Sequence, residues 1–205
     1  MLNDLGIQFS ALHLNEGHPA FAQLERVRER VEKGMSFTAA LKEVKGTAVF
    51  TTHTPVPAGN DIFSLDLMDK YFSRYYHQLG IDRDTFFELG HHPCDAGTGF
   101  NMTAFALRIT QYHNGVSKKH GMVAREMWRC MWPDLPELEV PIDHITNGVH
   151  IPTWLNPRME DLYSKYFNSV DPHWQVNHDN PEIWQMIDEI PDKALWEEHI
   201  WLKQK

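Results

Sequence analysis

Polar side chains that can pair with hydroxyl groups recur in four short segments of the sequence. Each segment places Asn, His or Glu beside glycine or another small residue. The segments are HLNEGHP, TTHTPVPAG, NGVS with a histidine three residues later, and TNGVH, at positions 13–19, 51–59, 114–117 and 146–150. Such side chains donate and accept hydrogen bonds, as a ligand dense in hydroxyl groups requires. Any one segment is better explained as a capped turn or a structural histidine, but the four together favour a polar ligand cleft.

The residues around these segments predict the elements that position them. Residues 7–14 alternate between apolar and polar, and residues 47–52 are rich in β-branched side chains, which favours two strands. Two helices are predicted between these strands, the first opened by Pro19 and the second capped by Ser36. Strand, helix, helix, strand is a crossover unit, which predicts a parallel sheet with helices on its faces. Ligands of such sheets bind at the carboxyl ends of the strands, where the polar segments are expected to lie.

The sequence changes character after Gly148. Before this residue, a turn or short strand is predicted at residues 114–117 and a short strand at residues 144–146, among several amphipathic helices. After it no strand is predicted, and helices are expected through Tyr163 and after a cap at Asp192. The predicted fold class is therefore α/β, with part of a parallel-sheet domain followed by a mainly helical C-terminal segment.

Charge and hydropathy argue against several classes of partner. Acidic residues outnumber basic ones by 28 to 19, so the formal net charge is −9. That sign argues against nonspecific binding to nucleic acid or to an anionic membrane surface. No apolar run approaches the roughly 18–20 residues of a membrane span, and the N-terminus lacks the pattern of a signal peptide. The two cysteines cannot form a disulfide framework, which favours a reducing compartment.

Two further motifs are not favoured as sites. The glycines of the GTG stretch at 97–99 begin a dinucleotide-binding pattern, but Met102 occupies the position of its last glycine. His91, His92 and Cys94 resemble zinc ligands in type. No second Cys/His pair of suitable spacing accompanies them, so a solvated loop is the preferred interpretation and no metal is expected.

Five longer segments occur in a fixed order along the chain. They are HLNEGHPAF, FTTHTPVPAGND, FNMTAFALR, NGVSKKHG and ITNGVHIPTW. In this combination the sequence resembles the α-glucan phosphorylases, which act on glycogen, starch and maltodextrin, and most closely the short microbial type. The resemblance runs from Ile7 to Trp154 and implies two Rossmann-like domains that face each other across a cleft, the GT-B arrangement. Residues 1–148 would be the C-terminal part of the first, glucan-binding domain, and residues 149–205 the helical start of the second.

The resemblance also implies a reaction and a cofactor. The terminal glucosyl unit of an α-1,4-glucan would be transferred to inorganic phosphate, giving α-glucose 1-phosphate with retained configuration. Pyridoxal 5′-phosphate would be present, and its phosphate group would act as an acid and base. The lysine that anchors this cofactor would follow the present segment, because no lysine here stands in a matching context.

Individual residues take roles from the resemblance. His53 would be the catalytic-site histidine that contacts the 6-hydroxyl of the glucosyl unit, and Asn147 would share that hydroxyl. The other predicted substrate-side residues are Glu16, His18, Asn114 and His120. Trp154 matches a tryptophan near the cofactor, and plain core packing is an equal alternative for it.

The expected partners are α-1,4-glucan and inorganic phosphate or glucose 1-phosphate. The parent enzyme is expected to be a cytoplasmic homo-oligomer, and the present segment alone is expected to be inactive. Two alternatives remain open: a nucleotide-sugar-dependent, glucan synthase-like glycosyltransferase, and a non-catalytic carbohydrate-binding fragment. A metal-dependent hydrolase is more distant than either.

Overall fold

Four parallel strands form the sheet that carries the polar segments. The computed structural model describes residues 5–94 and 99–204, and it divides into a unit that ends at Asn147 and a unit that begins at Gly148. The strands of the first unit are β1 Leu12–Asn15, β2 Ala48–Thr52, β3 Ile62–Ser64, β4 Gly99–Asn101, β5 Tyr112–Gly115 and β6 Asp143–His144. The main sheet has the order β1-β2-β5-β6 with every neighbouring pair parallel, and β3 and β4 form a separate antiparallel pair. The predicted α/β class and parallel sheet are confirmed.

The first strand is shorter than predicted. Pairing with β2 begins at Leu12, so residues 7–11 lie outside the sheet. Ile7 is 48% exposed, and the Phe9 ring lies under the Arg26 guanidinium, whose carbon is 5.1 Å from the ring centroid. The apolar residues of this stretch therefore lie outside the sheet, although their alternation predicts a strand.

The first unit contains seven helices within the described residues. They are α1 Phe21–Glu32, α2 Phe37–Lys45, α3 Leu65–Phe72, α4 Tyr75–Gln78, α5 Arg83–Gly90, α6 Met102–Ile109 and α7 Lys118–Trp128. The hydroxyls of Ser36 and Ser64 accept hydrogen bonds from the first turns of α2 and α3. Pro19 lies in a 3-10 turn at His18–Ala20 that leads directly into α1. The predicted crossover from β1 to β2 through two helices is thus confirmed.

One predicted helical face is divided in the structure. The spacing of Met68, Tyr71, Phe72, Tyr75 and Leu79 predicts one apolar helical face after a cap at Ser64. In the structure these residues are divided between α3, α4 and the residue that follows α4. Tyr71, which was expected on this face, is 67% exposed, and Tyr76 is buried instead. The break after Phe72 changes which side chains point to the core, and a single 3.6-residue period cannot follow such a break.

Helix α6 is buried on nearly every side, although the sequence predicts a helix with one apolar face at residues 101–110. Every residue from Met102 to Leu107 is less than 3% exposed. The side chain of Asn101 accepts hydrogen bonds from two backbone N–H groups of the first turn. The helix packs against α5 and against the 3-10 turn at His18–Ala20. This buried helix therefore supports the first polar segment.

Residues 148–204 form the second unit, in which the described residues contain helices and no strand. The helices are α8 Ile151–Trp154, α9 Pro157–Phe167, α10 Pro181–Gln185 and α11 Asp192–Lys203. Phe167, Trp174 and Ile183 form its core. The mainly helical character predicted for this segment is confirmed. None of the helices that the structure describes is long and apolar enough to cross a membrane.

The predicted cap of the last helix is wrong. Asp192 is the first residue of α11, and Pro191 occupies the cap position without a side-chain hydrogen bond. The proline φ of −59° already lies in the helical range, so the chain enters the helix without a polar cap.

The two cysteines are joined, which the sequence does not predict. Cys94 and Cys130 form a disulfide whose Cα atoms are 5.9 Å apart. Cys94 lies after α5, and Cys130 lies in a 3-10 turn at Arg129–Met131 that follows α7. A single bridge of this kind is a local link between two loops, and only the folded topology brings the two positions together.

Candidate functional site

The polar segments lie in a row along the carboxyl edge of the main sheet. Beyond β1 the backbone N–H of Glu16 donates to the Thr51 carbonyl at 2.9 Å. Beyond β6 the N–H of Asn147 donates to the Val116 carbonyl at 3.1 Å. Neighbouring strands are about 4.8 Å apart, so the row from β1 to β6 spans about 14 Å. A ligand the size of a sugar unit can therefore touch more than one segment at once.

Glu16 combines a strained backbone with a fixed carboxylate. Its φ is 67°, and it is the only non-glycine residue with a positive φ among residues 5–94 and 99–204. Such a conformation costs about 1–3 kcal/mol and persists only where the surrounding contacts hold it. Its Oε1 accepts a short hydrogen bond from the backbone N–H of His53, and a second from the Thr54 hydroxyl at 3.1 Å. The segment after β1 is thereby fastened to the loop after β2.

Three of the predicted substrate-side residues present free polar groups at this edge. His18, His53 and Asn147 are all exposed. Within the described part of the chain, none of the three side chains makes a hydrogen bond, whereas the backbones of His53 and Asn147 are both held by hydrogen bonds. Two imidazoles and one amide are therefore available to a ligand with hydroxyl groups.

Asn114 is buried and bonded within the sheet. It is 7% exposed, and its Oδ1 accepts the Thr51 hydroxyl at 2.9 Å. The Nε2 atom of His13 lies 2.6 Å from the same hydroxyl oxygen. Because the Thr51 proton is directed at Asn114, the imidazole donates to Thr51. Side chains from β1, β2 and β5 thus form one hydrogen-bonded line across three strands.

His13 and Thr51 are the members of this line that the sequence does not single out. Both lie inside the polar segments, but only the strand register places them beside Asn114. The line explains why an asparagine oxygen can be buried at a sheet edge, since every buried acceptor needs a donor.

One ring nitrogen of His120 makes a hydrogen bond among the described residues, and the other makes none. Its Nδ1 accepts the backbone N–H of Val116 at 3.2 Å. The proton of the neutral ring must therefore be on Nε2, which is buried and has no hydrogen-bond partner among the described residues. A buried donor without an acceptor is rare and marks a place where a ligand or water can bind. Gly115 makes room for the ring, because a Cβ there would lie 2.8 Å from Nδ1.

Trp154 belongs to the second unit and is not a core residue. It ends α8, and 80% of its surface is exposed. The described residues do not pack Trp154 into a core, and its place near the cofactor stays a prediction. An exposed indole can stack on a planar ring.

The histidine and cysteine loop does not form a metal centre in the described residues. Cys94 is bonded to Cys130, and no group of three His, Cys, Asp or Glu side chains in residues 5–94 and 99–204 is arranged to hold a metal ion. The remaining positions of the GTG stretch at 97–98 lie outside the described residues. Gly99 itself belongs to β4.

Gly17 allows the polar edge to pack directly on helix α6. A Cβ at Gly17 would lie 2.9 Å from the carbonyl carbon of Met102 and 3.0 Å from the backbone nitrogen of Thr103. Because both are backbone atoms, neither can move aside without shifting α6. We expect Gly17→Ala to lower the free energy of unfolding by about 2 kcal/mol, as overpacking does.

The measurement is urea unfolding followed by circular dichroism. Gly46→Ala is the matched control, since the nearest atom to its Cβ would be 3.5 Å away, an ordinary contact. Equal losses of stability in the two variants would show that the close approach at Gly17 is not tight.

Comparison with known proteins gives matches along the whole chain. Maltodextrin phosphorylase of Thermococcus litoralis is 41% identical over 205 residues, which is 100% of this chain and 24% of that protein. Glycogen phosphorylase of Aquifex aeolicus is 36% identical over 205 residues, 100% of this chain and 29% of that protein. Glycogen phosphorylase of Mycobacterium tuberculosis is 38% identical over 191 residues, 90% of this chain and 21% of that protein.

The chain is much shorter than these relatives. It spans about a quarter of the length of the curated proteins that it matches. No protein-family model matches it.

Proposed function

We propose that this chain is part of an α-1,4-glucan phosphorylase. It corresponds over its whole length to a segment of the glycogen and maltodextrin phosphorylases, and so it belongs to that family. The full-length enzyme transfers the terminal glucosyl unit of glycogen, starch or maltodextrin to inorganic phosphate and releases α-glucose 1-phosphate. The observation that supports this role is the carboxyl edge of the sheet, where His18, His53 and Asn147 present polar groups without partners in the described residues.

In this proposal the two units belong to different domains of the full-length enzyme. Residues 1–148 are the C-terminal part of the first Rossmann-like domain, and residues 149–205 begin the second domain of a GT-B enzyme. The parallel sheet supports the first assignment, since this arrangement binds its ligands at the carboxyl edge.

His53 and Asn147 are proposed to orient the glucosyl unit through its 6-hydroxyl. An imidazole and an amide can together donate to and accept from one hydroxyl group, which fixes the rotation of the sugar. Orientation of this kind lowers the entropy lost on reaching the transition state. Glu16, His18, Asn114 and His120 complete the proposed substrate side. The free Nε2–H of His120 is the best-defined donor among them.

These residues act on the sugar and not on the phosphate. They include no Lys or Arg, and the carboxylate of Glu16 repels an anion. The chain as a whole carries a formal charge of −9. The cationic groups that gather phosphate in the full-length enzyme are therefore proposed to come from outside this segment.

Pyridoxal 5′-phosphate is the proposed cofactor of the full-length enzyme, where its phosphate supplies acid–base chemistry. The described residues do not by themselves fit it. Trp154 offers an exposed ring face. Burial lowers the pKa of Lys45, but this lysine lies just before β2, at the amino edge of the sheet. That edge is opposite the polar segments, so Lys45 cannot anchor a cofactor beside them. The anchoring lysine is proposed to follow residue 205 in the full-length enzyme.

The test compares the full-length enzyme with the present chain. With maltodextrin and inorganic phosphate, the full-length enzyme should release glucose 1-phosphate and bind pyridoxal phosphate in a saturable absorbance titration. The chain of 205 residues should do neither, because it lacks the phosphate side of the site. Glucan elongation that depends on a nucleotide sugar would instead support a synthase-like glycosyltransferase, and phosphorolysis by the isolated chain would overturn the division of roles.

The proposed enzyme is cytoplasmic and homo-oligomeric, as the sequence leads us to expect. Size measurement of the full-length enzyme in solution tests the second point. A monodisperse monomer would contradict it.

A further inference from the structure

The loop that carries His53 is held by a side chain from the neighbouring strand segment. Up to Asn15 and Thr51, the backbones of β1 and β2 pair in a regular parallel register. The next contact is the Glu16 N–H with the Thr51 carbonyl at 2.9 Å. If the parallel pairing continued, the N–H of His53 would donate to a backbone carbonyl of the β1 chain. In the structure it donates to the Glu16 carboxylate.

The positive φ of Glu16 explains why a side-chain carboxylate, and not a backbone carbonyl, accepts this hydrogen bond. At 67° the chain leaves the extended conformation of a strand, so the backbone cannot continue the ladder. The turn brings Gly17 so close to the backbone of Met102 that no Cβ would fit there. The same Oε1 also accepts the Thr54 hydroxyl at 3.1 Å. Two consecutive residues after β2 are therefore tied to one carboxylate oxygen.

We propose that Glu16 is a positioning residue that fixes His53 for the glucosyl transfer, an inference that rests on the proposed function. Its charged-acceptor hydrogen bonds hold the backbone at His53 and Thr54, while the imidazole of His53 remains free for the sugar. The contacts of the Glu16 carboxylate at the end of β2 help to hold its strained backbone in place.

The first test measures the contact directly in the isotope-labelled chain of 205 residues. An amide that donates to a carboxylate resonates downfield in proton NMR. In Glu16→Ala the amide proton of His53 should move upfield, toward the position of a water-exposed amide. Glu16→Gln keeps an oxygen at this position, so the shift should be smaller. Glu126→Ala is the matched control on the exposed side of α7 and should leave the His53 amide unchanged.

The second test uses turnover by the full-length enzyme and a double-mutant cycle. Glu16→Ala should lower kcat about 100-fold, because misplacement of a positioning group by about 1 Å has an effect of that order. Glu16→Gln should restore most of the loss. In a His53→Ala background, Glu16→Ala should cause little further loss, because the imidazole that it positions is already absent.

The outcomes separate the inference from the proposed function. An unchanged His53 amide in Glu16→Ala, or equal losses of kcat with and without the His53 side chain, would overturn the positioning role. Absence of phosphorolysis in the unmodified full-length enzyme would overturn the proposed function instead. In that case the amide shift alone decides whether Glu16 holds His53.

Discussion

Asn147→Ala in the full-length enzyme should lower kcat/KM for glucose 1-phosphate by a factor on the order of 100, the effect of removing one well-placed polar group at a reacting sugar. With the 6-deoxy analogue the same substitution should change kcat/KM little, because the hydroxyl that Asn147 contacts is already absent. The structure supports this expectation, since the backbone N–H of Asn147 donates to the Val116 carbonyl at 3.1 Å while its side chain is exposed.

The measurement is the initial rate of glucan elongation from each donor. Asn168→Ala is the matched control, an exposed asparagine at the end of α9 in the second unit, and it should leave both rates unchanged. Equal losses on the two donors in Asn147→Ala would show that the residue acts on folding or on another part of the sugar. The comparison therefore separates recognition of one hydroxyl group from a general loss of structure.

The position of the polar edge could be predicted because it depends on local patterns. The segments around Glu16 and His53 each follow a strand that the sequence indicates, and parallel strands align their carboxyl ends at one edge. The helix caps at Ser36 and Ser64 could be predicted for the same reason, because a serine before an apolar helical pattern bonds to the first turn of its own helix. Features of this kind need no knowledge of which strands are neighbours.

The contacts within the edge could not be predicted in the same way. The Glu16 carboxylate meets the amide of His53 across 37 residues, and Thr51 meets Asn114 across 63. Both contacts require the strand register, which periodicity does not determine. The positive φ of Glu16 could not be predicted either, because glutamate has no intrinsic preference for that conformation.

The burial of α6 shows a second limit. Its sequence contains Thr103 and Arg108 among apolar residues, which suggests one polar face. Thr103 is buried because its hydroxyl donates to Asn60 at 3.0 Å, and Arg108 donates to the backbone carbonyls of Leu89 and His91 at the end of α5. Polar side chains with such partners can face a core, and the partners are known only from the fold.

Phe100→Ala is expected to lower the free energy of unfolding by about 3–5 kcal/mol, the largest loss among the substitutions considered. Phe100 is fully buried, and its ring centroid lies 5.2 Å from that of Phe105 and 5.5 Å from that of Phe86. Removing the ring leaves a cavity at the centre of the aromatic core, between α5 and α6. Urea unfolding of the chain measures the loss, and Phe9→Ala serves as the control because Phe9 is 37% exposed.

A double-mutant cycle with Gly90 identifies the cavity as the cause. A Cβ at Gly90 would lie 2.4 Å from the ring of Phe100, so Gly90→Ala alone should destabilise the protein by about 1–3 kcal/mol through overpacking. Once the Phe100 ring is removed, the added methyl group enters vacated space, and Gly90→Ala should then cost little or even restore stability. The coupling between the two substitutions should exceed about 1 kcal/mol in the favourable direction. Additive losses would mean that the core around α5 relaxes and closes the cavity, and that α6 is held less rigidly behind the polar edge than the structure indicates.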